Sequence, residues 1–183
     1  MKKYLVYFIA LQFNLISGQT NSVDERWISD KSSSEIVYSG KHFLHAWSGK
    51  NNNINGLLII DPRSNKIDKI AVLAYVKDFD SGNANRDSHS LEVLNALKFP
   101  EIIFFSEDLV NENDSIIIKG NLEFHGRKIN KNIQALVKKR NKKIEFKGNF
   151  KISLSEFDIK PPSFMLAEID DLIDISFYLE FKK

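Results

Sequence analysis

A small set of side chains stands out as candidates to bind or transform a small molecule. They are four histidines and one Arg–Asp pair: His42, His45, His89, His125 and Arg86–Asp87. Three converging imidazoles would make an open zinc-type site, because neutral imidazole is a common metal ligand. His42 and His45 fall on opposite faces of a continuous strand unless a bulge re-aims one of them, and no HExxH spacing is present. A metal-assisted enzyme that uses His89, His125 and one of the first two histidines is therefore the alternative hypothesis.

Arg86 and Asp87 lie in a polar segment, residues 78–100, that interrupts an otherwise strand-like chain. Its second half predicts a short helix capped by Asp87 or Ser88, because their side chains accept from exposed backbone N–H groups. Arg86 carries a fixed fork of donors that suits an anionic or carbonyl group, or it forms a structural pair with Asp87 or another carboxylate. A long polar loop in a compact domain is a common place for functional residues. The apolar side of the predicted helix is Leu91, Val93, Leu94 and Leu97, and Phe99-Pro100 ends it.

Strict alternation of apolar and polar residues marks three strands of the chain. This pattern is typical of antiparallel sheet with one face buried and one face in solvent. The predicted inward series are Ile116, Ile118, Gly120, Leu122 and Phe124; Ile144, Phe146, Gly148, Phe150, Ile152 and Leu154; and Ile173, Ile175, Phe177, Leu179 and Phe181.

The rest of the chain predicts enough further strands for a meander of eight or nine. A two-sheet sandwich or a closed barrel would bury the apolar face, which contains most of the 14 Phe residues. The barrel is preferred because closure leaves no unpaired edge. The fold prediction is all-β, an eight-stranded antiparallel barrel with one short helix between mid-chain strands. The further strands are predicted at 34–39, 44–49, 54–61, 67–77, 101–110 and 129–138.

The beginning of the chain has the pattern of an export signal. Lys2 and Lys3 precede the apolar run 4–11, and cleavage is predicted between Gly18 and Gln19, which leaves one domain, residues 19–183. Cysteine is absent, so disulfides and thiolate metal sites are excluded. The net charge of +2 belongs to the two leader lysines. The mature domain is therefore near neutral, which argues against a nucleic-acid binder.

Several motifs in order along the chain resemble the YceI-like family. They are Phe79-Asp80-Ser81-Gly82-Asn83-Ala84-Asn85-Arg86-Asp87-Ser88-His89 with Phe99-Pro100, Trp47-Ser48-Gly49 after His42 and His45, Gly120-Asn121-Leu122-Glu123-Phe124-His125-Gly126, and Phe146-Lys147-Gly148-Asn149-Phe150.

The resemblance implies a lipocalin-like barrel, periplasmic or secreted, that holds a polyisoprenoid, an isoprenoid quinone or a similar lipid. Such a protein needs no catalytic residue and no cofactor. Arg86, His89 and His125 are the expected headgroup contacts, and a homodimer and transient membrane contact are further expectations. The expected tail contacts are Phe104, Leu122, Phe124, Phe146, Phe150, Ile175 and Phe177.

Two points are open at this stage. The small inward residues Gly120, Gly148 and Ala71 either make room for a ligand or allow the barrel to curve, and a filled barrel with a purely structural role is a third hypothesis. Ser155-Glu156-Phe157-Asp158-Ile159 stands where many YceI-like proteins carry an Arg, which leaves the headgroup chemistry unassigned.

Overall fold

The computed structural model describes residues 24–41, 46–112, 114–164, 167–168 and 170–183. Within these residues there are twelve strands and a single α-helix, α1 (Ala84–Val93). Short 3₁₀ turns stand at Val76–Asp78 and Leu154–Phe157. None of the helices in this part of the chain is long and apolar enough to span a membrane. The strands are β1 (Glu25–Ser29), β2 (Glu35–Lys41), β3 (Ala46–Asn51), β4 (Asn55–Asp61), β5 (Lys66–Tyr75), β6 (Glu101–Glu112), β7 (Ser115–Phe124), β8 (Arg127–Arg140), β9 (Lys143–Ser153), β10 (Ser163–Phe164), β11 (Ala167–Glu168) and β12 (Leu172–Lys182).

The sheet closes into an eight-stranded antiparallel barrel. β1 and β2 both pair with β12 and lie end to end, so together they act as one long strand with a break. In the same way β4 pairs with β1 and β3 pairs with β2, so β3 and β4 act as a second long strand with a break. The order then runs β4, β5, β6, β7, β8, β9 and β12, which pairs again with β1. The prediction of a closed meander is confirmed. β10 and β11 form a separate small hairpin.

Buried serines complete the hydrogen bonding at the breaks in the two long strands. Ser29 Oγ donates to the Ile54 carbonyl at 2.8 Å and accepts from the Gly56 N–H at 2.6 Å. Ser34 Oγ accepts from the Glu180 N–H at 3.1 Å. Unpaired backbone groups in a barrel wall would be costly, so these hydroxyls make the breaks tolerable.

The inward series of β7, β9 and β12 are confirmed, but Ala71 lies on the outer face of β5. The pairing register slips by one residue at Asp68, which has no partner on β4 between Ile59 and Ile60. Such a bulge resets the alternation, so that Ile67 and Ile70, three residues apart, are both buried. The placement of Ala71 inside the barrel was therefore wrong.

One half of the barrel is packed solid by large apolar side chains. At their centre the ring of Phe181 contacts the ring of Phe146 edge to face, with centroids 5.6 Å apart. Because these side chains are buried and contact one another, they close this end of the barrel. We call the following fully buried residues the floor: Leu58, Ile60, Ile67, Ile116, Ile144 and Phe181.

The helix α1 covers the opposite end of the barrel and begins earlier than predicted. Asn83 is its N-cap, since its side chain accepts from the Arg86 N–H at 3.1 Å. The prediction of Asp87 or Ser88 as the cap was wrong, because the helix starts before both residues. Leu97 was also wrongly placed on the apolar side, since α1 ends at Val93 and the Leu97 side chain is fully exposed.

Candidate functional site

A cavity of about 790 Å³ occupies the barrel between the floor and α1. Its wall is built from the inward residues of β5, β6, β7, β9 and β12, which the sheet register brings to the same level. All seven residues predicted as tail contacts line this cavity: Phe104, Leu122, Phe124, Phe146, Phe150, Ile175 and Phe177. A filled barrel is thereby excluded, and the wall has the chemistry to hold an apolar chain.

The glycines in the wall make room for aromatic rings of the protein itself. A Cβ at Gly120 would stand 2.5 Å from the ring of Phe104 on β6, and one at Gly148 would stand 2.6 Å from the ring of Phe177 on β12. Carbon atoms do not approach so closely, so both positions require glycine for close packing. Room for a ligand and curvature of the barrel were the two interpretations of these glycines, and neither is complete. Gly120 and Gly148 also make room for the neighbouring Phe rings of the wall.

The polar side chains that line the cavity are gathered at one end, which we call the mouth. Apart from Tyr38 on β2 and Trp47 on β3, they all belong to one continuous stretch of chain, residues 77–90. Below this level the lining is apolar. The mouth residues of that stretch are Lys77, Asn83, Asn85, Arg86, Asp87, His89 and Ser90.

Arg86 and Asp87 hold the same loop residue without pairing with each other. Arg86 Nε donates to Ser81 Oγ at 3.0 Å, while the Asp87 carboxylate accepts from the Ser81 N–H at 3.2 and 3.3 Å. Within the described chain no carboxylate lies within 4 Å of the Arg86 guanidinium, and its two terminal nitrogens have no hydrogen-bond partner. The structural pair considered from the sequence is not formed, which leaves donors of Arg86 available at the mouth.

Tyr38 is a mouth residue that the sequence analysis did not single out. Its ring packs 5.7 Å from the ring of Phe79, and a Cβ at Gly49 would stand 2.4 Å from it. Burial raises the pKa of the Tyr38 hydroxyl above its ordinary value, and the nearby negative charge of Asp87 raises it further. Tyr38 follows Ile36 in the inward alternation of β2, so that periodicity was the signal that could have found it.

The histidines do not form a cluster in the described structure. His89 lines the mouth and is exposed on α1, with Nδ1 3.8 Å from a Glu92 carboxylate oxygen. His125 lies away from the cavity lining in the turn after β7, where Nδ1 is 2.9 Å from the Phe157 carbonyl and the ring packs against Phe99. Among the described residues no three His, Asp or Glu side chains converge on one point. His42 and His45, the other candidate metal ligands, lie outside the described residues.

The Ser155–Ile159 stretch, which departs from the expected pattern, forms part of the barrel end. Glu156 and Ser153 cap the 3₁₀ turn reciprocally, and Asp158 follows in the left-handed conformation with φ 56°. This turn places Phe157 in the core, edge to face with Phe124 at 5.3 Å. Ile159 then reaches the cavity wall. The stretch therefore adds apolar surface and no cation to the lining.

Residues 27–181 match the family of the YceI-like domain. This chain belongs to the YceI-like family. A UPF0312 protein of Pectobacterium atrosepticum is 27% identical over 129 residues, which cover 69% of this chain and 67% of that protein. A UPF0312 protein of Pseudomonas aeruginosa strain PAO1 is 29% identical over 113 residues, 60% of this chain and 59% of that one.

Solved structures share the YceI-like fold at low sequence identity. BcnA of Burkholderia cenocepacia superposes with a TM-score of 0.74 at 18% identity, covering 83% of this chain and 98% of BcnA. A polyisoprenoid binding domain from Saccharophagus degradans, implicated in plant cell wall breakdown, gives a TM-score of 0.67 at 12% identity, covering 86% and 97%. The YCEI protein of Campylobacter jejuni gives 0.59 at 19% identity, covering 100% and 99%.

Proposed function

We propose that this protein binds an amphiphilic lipid of the polyisoprenoid or isoprenoid-quinone type and carries out no chemistry on it. The observation that carries the proposal is the division of a single cavity into an apolar barrel interior and a polar mouth. That division matches a molecule with an apolar tail and a small polar head. The solved Saccharophagus degradans relative is described as a polyisoprenoid binding domain, which supports this ligand class.

Burial of the tail supplies the binding energy. Removing roughly 400 Å² of tail surface from water at about 25 cal/mol per Å² contributes about 10 kcal/mol. Association costs of at least about 4 kcal/mol leave an affinity near tens of micromolar before any headgroup contact is counted. A reversible carrier needs an affinity in this range or better.

The mouth is proposed to hold the headgroup through Arg86, with Tyr38 and His89 beside it. The guanidinium offers several donors in a fixed plane, which suits a carbonyl or an anionic oxygen. The Tyr38 hydroxyl is a further donor, because a phenol is protonated at neutral pH and burial raises its pKa above the ordinary value. His125 is not carried into this proposal, because it lies outside the lining and already contacts Phe157.

The binding proposal is tested by blocking the cavity. The protein is purified from its native source and its solvent extract is analysed by mass spectrometry for prenyl lipids. Ala74 on β5 lines the cavity and Ala71 on the same strand faces outward, so Ala74→Phe and Ala71→Phe are a matched pair. We expect Ala74→Phe to lose the co-purifying lipid and Ala71→Phe to keep it. Equal lipid content in the two variants, or no lipid in the unmodified protein, would contradict the proposal.

Export is proposed from the leader, residues 1–18, which lies outside the described residues. Amino-terminal sequencing of the protein recovered from the periplasm or medium should begin at Gln19. Recovery only in the cytoplasm with Met1 intact would overturn this part of the proposal.

Two surface features support the expected contacts with a second copy and with a membrane. Cross-strand neighbours Ile28, Leu57, Ala71 and Phe105 make an apolar band on the outside of four adjacent strands, which suits a homodimer. Exposed Leu97 and Lys98 follow α1 at the mouth end, which suits transient contact with an anionic bilayer during loading. Sedimentation of Phe105→Ser and vesicle binding of Leu97→Ser test the two contacts separately.

A further inference from the structure

We infer that the cavity is closed at its inner end and so limits the length of the lipid tail. The tail end enters first, and the cavity accommodates an isoprenoid chain of up to about 30 carbons. The inference rests on the proposed function and adds a limit to it. It depends on the level at which the cavity stops and on what closes it there.

On four strands the cavity lining gives way to fully buried residues toward the end of the barrel away from α1. Along β12 the lining ends at Leu179, and the next inward residue, Phe181, is fully buried. Along β7 the same change falls between Ile118 and Ile116. The remaining two changes lie between Phe146 and Ile144 on β9 and between Ile70 and Ile67 on β5.

The floor is too well packed to open for a longer chain. Phe181 lies on Gly56, where a Cβ would stand 2.7 Å from its ring, and it meets Phe146 edge to face. A tail that passed this level would have to displace fully buried side chains. Such overpacking of a close-packed core is strongly disfavoured.

The polar mouth determines which end of the ligand enters. Below the mouth the lining offers an ionised or strongly polar headgroup no hydrogen-bond partner among the described side chains. Burying such a group unpaired is costly, whereas the tail loses nothing there. The tail therefore points to the floor and the headgroup stays beside Arg86.

Depth and volume give different limits, so a chain that fills the volume must bend. The seven residues of β12 from Ile173 to Leu179 span about 20 Å of strand, or about 15 Å along the axis of a tilted barrel. At the packing density of protein interiors, about 0.74, a cavity of 790 Å³ holds about 580 Å³ of ligand atoms. With about 20 Å³ per carbon group, this volume corresponds to about 30 carbons, or six isoprene units, packed in a bent chain.

The test is a series of prenyl alcohols with 10, 15, 20, 30 and 45 carbons, titrated into the full-length processed protein and followed by calorimetry. We expect the affinity to rise tenfold or more per added isoprene unit at the short end and to stop rising between 30 and 45 carbons. An affinity that keeps rising to 45 carbons would overturn the inference while leaving the proposed function intact. Absence of binding at every length would overturn the proposed function itself.

A matched pair of variants tests whether the floor sets the limit. Ile118 is the lowest lining residue of β7 and Ile117 faces outward beside it, so both are changed to Phe. We expect Ile118→Phe to move the plateau to a shorter alcohol. Ile117→Phe should keep the original plateau. Leu179→Phe, the lowest lining residue of β12, provides the same test if Ile118→Phe does not fold, and an unmoved plateau in a folded lower-wall variant contradicts the inference.

Discussion

Arg86 and Asp87 are adjacent on α1 and both bind Ser81, yet their side chains do not pair with each other. The carboxylate holds the backbone of the loop and Arg86 Nε holds its hydroxyl. The loop is thereby fixed from two directions, and the outer nitrogens of Arg86 form no hydrogen bond within the part of the chain that the structure describes. This arrangement separates the residue that shapes the mouth from the residue that we propose binds the headgroup.

Replacing Arg86 with Gln should weaken binding of a lipid with a carbonyl or anionic head about 10- to 100-fold, because hydrogen bonds to a charged group contribute about 1.5–3 kcal/mol. Binding of an apolar hydrocarbon of the same length should not change. Arg127→Gln is the control, since Arg127 pairs with Asp158 and does not line the cavity. Competition binding measures both ligands, and an equal loss for both would contradict the assigned role.

Replacing Gly120 with Ala should destabilise the fold by about 1–3 kcal/mol through overpacking. The new Cβ would stand 2.5 Å from the ring of Phe104, which lines the cavity, and 2.6 Å from the Phe105 carbonyl oxygen, so both the ring and the wall backbone must shift. We therefore expect lipid uptake to fall together with the urea midpoint. Asn121→Ala, the neighbouring position on the outer face of β7, should leave lipid uptake unchanged. A Gly120→Ala variant with normal stability would show that the wall is more adaptable than its packing indicates.

Replacing Ser29 with Ala should cost about 1–3 kcal/mol of unfolding free energy, because the Ile54 carbonyl and Gly56 N–H lose their buried partner. Urea unfolding measures the loss. Ser32→Ala, which removes an exposed hydroxyl bound to Asp30, should change the unfolding free energy by less than about 0.5 kcal/mol. Equal effects of the two substitutions would argue against the role given to Ser29.

The stability of the protein should fall at acid pH partly through Asp30. A hydrogen bond from Lys182, with others from Ser32, lowers the pKa of Asp30 from 3.8 to about 2. Because the folded-state pKa is the lower one, this stabilisation is complete above about pH 4 and is lost as the pH falls through about 2. The Asp30→Asn variant should show a weaker dependence of the urea midpoint on pH over this window. Asp68→Asn, on the outside of β5, should keep the original pH dependence. An unchanged slope in Asp30→Asn would refute the assignment.

Alternation predicted the parts of the barrel where one face of the strand is apolar and the other polar. The inward series of β7, β9 and β12 follow from such patterns, and with them most of the cavity wall. β1 was missed because buried Trp27 is followed by Ile28, which is 64% exposed, so that no polar face marks the strand. Ala71 was misplaced because a one-residue bulge leaves no mark in composition.

The site was predictable only as a set of inward positions and one loop. Residues 78–100 were identified by their polarity, and Arg86 and His89 do line the mouth. The identity of the cap was not predictable, because Asn83, Asp87 and Ser88 are all good caps and tertiary contacts choose between them. The floor could not be predicted at all, since it depends on the relative heights of distant strands.

The polar part of the lining comes almost wholly from one uninterrupted piece of chain, residues 77–90, mounted on a barrel that supplies the rest. Under the proposed function, the residues that meet the head, apart from Tyr38, and those that hold the tail are therefore encoded in separate stretches of the gene. Exchange of this single segment between YceI-like proteins would alter which molecules are bound and leave the barrel unchanged. Diversification within such a family can then proceed by short replacements at one site, without renewed selection for folding.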